Sequence, residues 1–350
     1  MVICCKSFGF KFSVLFLISL YLRTMSLSAH DLRNISNEGE FEKAALATFQ
    51  MQYETVDIYR AYVDLLGVKP ENVVASNQIP FLPIRFFKSH SVLKQNMQAV
   101  LYFESSGTTG MDVSKHFLAD TTIYHSLSVH NFELMYGSLN EYCILALLPS
   151  YLERGQSSLV FMVQYFMNVS QHPDAGFYLN NLSELARTIQ RLQLKKQKVL
   201  LIGVTYALLD FAEQFPASLE NTIIMETGGM KGRRKEMLRE EVHALLKSAF
   251  KVNGIHSEYG MTELLSQAYA PADGIFNCPN WMKVLLRDPS DPLSISAEGT
   301  GAVNIIDLAN QDSCAFIATD DLGTIVIDDK FKIVGRLDEA ELRGCNLLVQ

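Results

Sequence analysis

Two patterns of apolar and polar positions divide the chain. The first runs from Glu38 to about Leu66 and is helical. Phe41, Ala45 and Phe49 fall on one face, and Val56, Tyr59, Tyr62, Val63 and Leu66 continue the spacing in a second helix. Pro70 ends it, and Ile79-Pro80-Phe81-Leu82-Pro83 reads as rigid, extended chain. The second pattern consists of short unbroken apolar runs at residues 99–103, 143–148, 198–203 and 222–225, bounded by turn residues or followed by helical periodicity. The clearest of those helices cover residues 206–215 and 232–250. Strands alternating with helices predict an α/β fold with a parallel sheet.

Near Pro289 the texture changes. Asp288-Pro289-Ser290-Asp291-Pro292 reads as a loop or boundary, followed by short β-type runs at 302–306, 314–318, 324–327 and 331–334. Asp328-Asp329-Lys330 reads as a hairpin turn. The expected organisation is an N-terminal extension (1–24), an α/β core (25–288) and a small β-rich subdomain with a C-terminal tail (289–350).

Length and composition fit this organisation. A chain of 350 residues with 48% hydrophobic and 19% charged residues can bury a sizeable core. A net charge of −8 without a basic block makes nucleic acid an unexpected partner. The six cysteines, Cys4, Cys5, Cys143, Cys278, Cys314 and Cys345, form no CxxC pair, so reduced thiols and a cytoplasmic setting are expected. The eight histidines show no metal-binding spacing, and no GxSxG elbow is present.

Residues 1–24 fit two readings. Lys6 and Lys11, the apolar stretch 12–22 and the small residues Ser26, Ser28 and Ala29 resemble a secretory signal. A start assigned upstream of Met25 gives the same picture. The apolar stretch is short for a stable membrane span.

The chemistry concentrates in four motifs. Ser105-Ser106-Gly107-Thr108-Thr109-Gly110 follows the apolar Leu101-Tyr102-Phe103, a strand entering a hydroxyl-rich glycine loop. Glycines permit close backbone approach, and hydroxyls with successive N–H groups suit a phosphate. No Gly-Lys-Ser/Thr closes it, so it is not a Walker A loop. Downstream lie Glu226-Thr227-Gly228-Gly229-Met230-Lys231-Gly232, then Glu258-Tyr259-Gly260-Met261-Thr262-Glu263, and then Ala318-Thr319-Asp320-Asp321-Leu322-Gly323 with Gly335-Arg336-Leu337-Asp338.

In order and approximate spacing these motifs resemble the adenylate-forming superfamily of acyl-CoA synthetases, adenylation domains and luciferase-type ligases. Within it, the chain looks most similar to the acyl-protein synthetase branch, the fatty-acid-activating subunits of bacterial luminescence complexes and their non-luminous relatives. Ile79-Pro80-Phe81-Leu82-Pro83-Ile84-Arg85-Phe86-Phe87-Lys88 and Arg343-Gly344-Cys345 carry that closer likeness. The fold implied is the layered α/β N-terminal domain of an adenylate-forming enzyme with a small β-rich subdomain.

The resemblance also implies roles. The loop Ser105, Ser106, Gly107, Thr108, Thr109 and Gly110 would hold the ATP phosphates. Gly228 and Gly229 would admit the adenine, Tyr259 would stack on it and Gly260 would lie beside it. Thr262 would bond the α-phosphate, and Glu263 would ligate Mg²⁺. Asp321 would accept from the ribose hydroxyls, and Arg336 would add charge nearby. Competing readings make Glu263 a helix-start carboxylate, Asp321 a turn residue and 231–235 a solvated basic face.

Two departures narrow the activity. A lysine common soon after the loop's second glycine arrives late, as Lys115. Relatives continue for roughly a hundred residues after the Gly-Arg-x-Asp motif, a usual small-domain length, into a mobile C-terminal domain with a catalytic lysine. Here the expectation is that this domain is absent, with Cys345 as the acyl acceptor, its thiol favoured by Arg343; the other reading buries Cys345 as a small apolar group. Cys143, Cys278 and Cys314, beside apolar runs, are expected in the core.

The expected activity is ATP- and Mg²⁺-dependent activation of a carboxylic acid, a fatty acid by resemblance, as an acyl-adenylate. Transfer to a cysteine thiol and on to a partner, an acyl reductase or carrier protein, would follow. The alternatives are a CoA or carrier-protein ligase completed by a separate domain, and an inactive nucleotide-binding scaffold.

Overall fold

The computed structural model describes residues 26–105, 113–149, 156–179, 181–229, 234–235, 237–327 and 329–337. The helical N-terminal pattern forms α1 (Glu38–Thr55) and α2 (Asp57–Leu65), separated at Val56. Asn37 starts α1 by accepting a hydrogen bond from the Glu40 N–H.

The apolar runs build a sheet ordered β5 (Gly176–Phe177), β4 (Tyr142–Leu147), β6 (Lys198–Gly203), β7 (Thr222–Glu226), β8 (His256–Tyr259) and β9 (Ala268–Ala270). All pairings are parallel except β8 with β9. Strand β4 is buried at every position, as expected of a parallel strand covered on both faces. The longer helices are α3 (Thr122–Tyr136), α4 (Ser158–Ser170), α5 (Leu182–Leu194), α6 (Thr205–Gln214) and α7 (Arg239–Phe250).

A second sheet is ordered β1 (Leu82–Pro83), β13 (Phe316–Ile327), β12 (Gly299–Asp307), β10 (Met282–Asp288) and β11 (Asp291–Ser296), with β14 (Lys330–Arg336) also on β13. It recruits β1 in parallel from the N-terminal third of the chain. The proline-flanked segment 288–292 is the turn of the β10–β11 hairpin. Asp329, between β13 and β14, takes a φ of 62°, a left-handed conformation that aspartate tolerates.

Four expectations are corrected. The run 99–103 does not join the parallel sheet. It forms β2 (Leu101–Glu104), which pairs antiparallel with β3 (Lys115–Leu118) and brings the two ends of the hydroxyl-rich loop together. The runs 314–318 and 324–327 merge into the single strand β13, so Asp321 is a strand residue and not a turn residue. The helix expected from 232 begins at Arg239, where the Glu241 carboxylate accepts from the Leu238 N–H and Glu240 and Glu241 favour the positive helix end. Arg234 is not a solvated charge: it pairs with Asp210 and Glu213 of α6.

Helices α1 and α2 dock on the second sheet through aromatic rings. Tyr59 stacks on Phe316 with centroids 5.9 Å apart, and Phe49 and Phe81 meet the same ring edge-on. Gln52 donates to the Asn310 carbonyl and accepts from the Ala315 N–H. Cys143 and Cys314 are buried, and burial pushes both thiols up to about 12; Cys278 is half-buried. Cys345 lies outside the described residues. Among the described residues no helix is long and apolar enough to cross a membrane.

Phe316→Ala removes the ring on which three others converge. It is expected to destabilise the fold by ~3–5 kcal/mol. A lower urea midpoint with an unchanged slope is the signature to look for.

Candidate active site

In an open parallel sheet the carboxyl ends of the strands face a common crevice. Here β7 ends at Glu226, and β8 ends at Tyr259. After β7 the chain turns through Gly228 (φ 78°) and Gly229 (φ 91°). Consecutive left-handed residues are strained for any side chain but hydrogen, so this turn presents bare backbone.

Glu226 pins that turn. One carboxylate oxygen accepts from the Gly228 N–H at 2.7 Å and from the Thr205 hydroxyl at 3.2 Å. The other meets Arg239 Nε at 3.1 Å and His243 Nε2 at 3.6 Å. Glu226 is 3% exposed. Burial alone would raise its pKa, but the His243 contact, the Arg239 charge and Ser257 outweigh it and hold the carboxyl at about 2. It is ionised throughout the physiological range.

After β8, Tyr259 donates to Asp321 Oδ2 at 2.8 Å. The ring expected to stack on a base is 8% exposed and packs against Phe276 and Phe331 at 5.7 and 5.6 Å. A Cβ added at Gly260 would meet the Glu258 carboxyl, which would have to move aside.

Asp321 sits opposite Arg336 in the β13–β14 register, with Arg336 Nε 3.3 Å from Asp321 Oδ1. Burial raises the Asp321 pKa, opposed by the Tyr259 hydrogen bond and the Arg336 charge. The Thr319 hydroxyl accepts from the Asp321 N–H, and Arg287 grips the Thr319 carbonyl. Arg336 is 72% exposed, so its charge remains available to a ligand.

Thr262 is fixed from the far side. His116, on β3, donates from Nδ1 to the Thr262 carbonyl at 2.9 Å, and its Nε2 meets the Ser313 hydroxyl at 2.9 Å. Burial pushes this imidazole down to about 4, so it is neutral and the Nδ1–H is a fixed donor. Glu263 is buried, which raises its pKa, against a hydrogen bond from Ser114. No cluster of three or more His, Cys, Asp or Glu capable of holding a metal occurs among the described residues. One buried carboxylate does fit Mg²⁺, which is commonly bound by one or two carboxylates plus substrate phosphates.

Ser105 closes the neck of the hydroxyl-rich loop. Its N–H donates to the Ser114 carbonyl, and its hydroxyl accepts from the Ser114 N–H. Ser106, Gly107, Thr108, Thr109 and Gly110 lie outside the described residues, as does Asp338. The Lys115 ammonium lies over the Tyr102 ring at 5.5 Å.

The structure joins Tyr259, Asp321 and Arg336 directly, and ties Gly228 to them through Glu226, Arg239 and the Phe276 ring. Thr262 and Glu263 join the loop neck through His116 and Ser114. Sequence reasoning assigned no role to His116, Glu226 or Arg239. The only signal was the placement of Glu226, a carboxylate ending an apolar strand directly before the glycines.

Glu258, beside this site, is a further buried acid. Burial and then the nearby Glu226 charge raise its pKa from 4.5 to about 8. The folded state therefore holds a proton that the unfolded chain gives up earlier. That stability is present below about 4.5 and is lost as pH rises through about 8. Glu258→Gln should remove this decline, so that urea titrations at pH 8.5 find the variant more stable than wild type.

Residues 23–350 match the family model described as acyl-protein synthetase, LuxE. A long-chain-fatty-acid–luciferin-component ligase of Aliivibrio fischeri is 24% identical over 334 residues, covering 87% of this chain and 86% of the relative. Among solved structures, ATP-bound MatB from Rhodopseudomonas palustris superposes with a TM-score of 0.52 at 15% identity, over 68% of this chain and 48% of that one. A long-chain-fatty-acid-CoA ligase (FadD1) from Archaeoglobus fulgidus gives a TM-score of 0.50 at 15% identity, over 71% and 54%. The chain spans about half the length of these two solved proteins, and the likeness to them is one of fold. On the match across nearly its whole length, this chain belongs to the acyl-protein synthetase family and has the fold of the adenylate-forming enzymes.

Proposed function

We propose that the protein activates a fatty acid with ATP and Mg²⁺ and passes the acyl group through Cys345 to a partner protein. The observation that carries this is the Tyr259–Asp321–Arg336 chain beside the Gly228–Gly229 turn. A bare glycine turn accepts a planar base, and a carboxylate held within reach accepts two vicinal hydroxyls. The ATP bound by MatB in its solved structure and the acid named for the Aliivibrio fischeri ligase agree with this reading.

In the first step a carboxylate oxygen of the acid attacks the α-phosphorus, and pyrophosphate leaves. Thr262 donates to the α-phosphate as its charge shifts, and Arg336 adds positive charge at the same edge. Glu263 would hold Mg²⁺, which supplies further neutralisation of the phosphates. The hydroxyls and N–H groups of Ser105–Gly110 would hold the leaving phosphates. In the second step the Cys345 thiolate attacks the acyl carbonyl, AMP leaves and a thioester forms. A nucleophile on the partner then takes the acyl group and frees the thiol.

Release of pyrophosphate and protein labelling, followed together over a panel of radiolabelled acids, test the scheme. Wild type should release pyrophosphate with long-chain acids and acquire a hydroxylamine-labile label. Glu263→Gln should lose on the order of 10²–10³-fold in pyrophosphate release, the scale of removing one electrostatic stabiliser. Cys345→Ala should keep the release and lose the label. Labelling that survives Cys345→Ala would move the acceptor elsewhere, and no release with any acid would sink the activity.

A further inference from the structure

Arg239 occupies a position that helix energetics do not explain. It is the first residue of α7, where the helix dipole disfavours a cation. Its guanidinium instead bridges the two sheets. Nε binds Glu226 at 3.1 Å, at the end of β7, and Nη1 donates to the Ile333 carbonyl of β14 at 3.3 Å. The group also lies 5.2 Å from the Phe276 ring centroid, a cation–π contact.

The surroundings are shaped around this side chain. Gly274 has a φ of 62°, and a Cβ there would come within 2.8 Å of Arg239 Cδ. Phe276 exchanges backbone hydrogen bonds with Phe331 of β14, and both rings pack on Tyr259. Glu226, on the other arm, is the acceptor that fixes the Gly228 N–H. One guanidinium therefore links the glycine turn of the first sheet to the hairpin that carries Asp321 and Arg336.

We propose that Arg239 and Glu226 are a positioning pair that sets ATP affinity, by fixing the glycine turn relative to Asp321 across the gap between the sheets. This rests on the reading of that turn and Asp321 as the nucleotide site. The pair touches neither the acid nor the reacting phosphorus. Its loss should weaken nucleotide binding while leaving acid binding alone. Lysine cannot replace the arginine, because one ammonium cannot present the two-armed planar fork.

The test uses the full chain as wild type, Arg239→Lys and Glu226→Gln. Calorimetric ATP binding and the separate KM values for ATP and acid are measured, with thermal unfolding alongside. Both variants are expected to raise the ATP KM by roughly tenfold and to change the acid KM by less than about twofold. Combined with Asp321→Asn, Arg239→Lys should cost less than the sum of the two single changes, because both act on one bound ribose and base. A normal ATP affinity in either variant overturns the proposal. So does a parallel rise in both KM values with a lowered Tm, the mark of general destabilisation. If wild type itself fails to bind ATP, the nucleotide-site reading falls, and this proposal with it.

Discussion

The geometry of the site depends on Tyr259. Its ring belongs to the core, wedged against Phe276 and Phe331, while its hydroxyl belongs to the site, holding Asp321. The ring lies at the carboxyl end of β8 in the first sheet, and the residues it touches belong to or bridge to β13 and β14 in the second. Apolar packing between the sheets and polar alignment of Asp321 are thus one interaction. A shift of the hairpin that separated the rings would also break the hydroxyl–carboxylate bond. Aromatic contacts of this kind bury large areas with few rotatable bonds, so the alignment is inexpensive in entropy.

Around this wedge, ionisation states are set by burial and by specific partners. Glu226 and Glu258 are both deeply buried, yet they are driven in opposite directions. Glu226 gathers Arg239, His243, Thr205 and a backbone N–H and stays charged at about 2. Glu258 meets chiefly desolvation and the Glu226 charge, and it rises to about 8. Two adjacent acids cannot both be ionised cheaply at low dielectric, and the one with the partners keeps the charge. The neutral His116 follows the same logic: burial suppresses its charge and makes it a dependable donor to the Thr262 carbonyl.

Much of the architecture could be read directly from the chain. The runs 143–148, 198–203 and 222–225 are continuous apolar segments of strand length, and each became a strand of the parallel sheet. Errors arose where local residues gave a false signal. Asp320, Asp321 and Gly323 look like turn formers, yet they lie inside β13, where Gly323 is required because a Cβ would meet Val303 Cγ2 at 2.7 Å. The helix expected from 232 started late because no local rule anticipates that Arg234 is drawn to Asp210 and Glu213 of another helix. Arg239 could not be read at all. Its partners are thirteen residues before it and ninety-four after it, and only the packing of two sheets brings them together.

The proposed function asks an acidic protein to handle a polyanion, an apparent conflict, since a net charge of −8 repels ATP at long range. The resolution is spatial. At physiological salt, fields are screened over about 8 Å, so what matters to a bound ligand is its immediate surroundings. On the proposed function those surroundings are the backbone of the glycine turn, the neck clamped by Ser105 and Ser114, and the largely exposed Arg336. The acids in the same region are occupied: Glu226 is neutralised by Arg239, Glu258 is protonated near neutrality, and Asp321 is held by Tyr259 and Arg336. The site's electrostatics therefore come from how acids are paired or protonated rather than from an excess of basic residues. That is why neither the net charge nor the count of lysines and arginines reveals it.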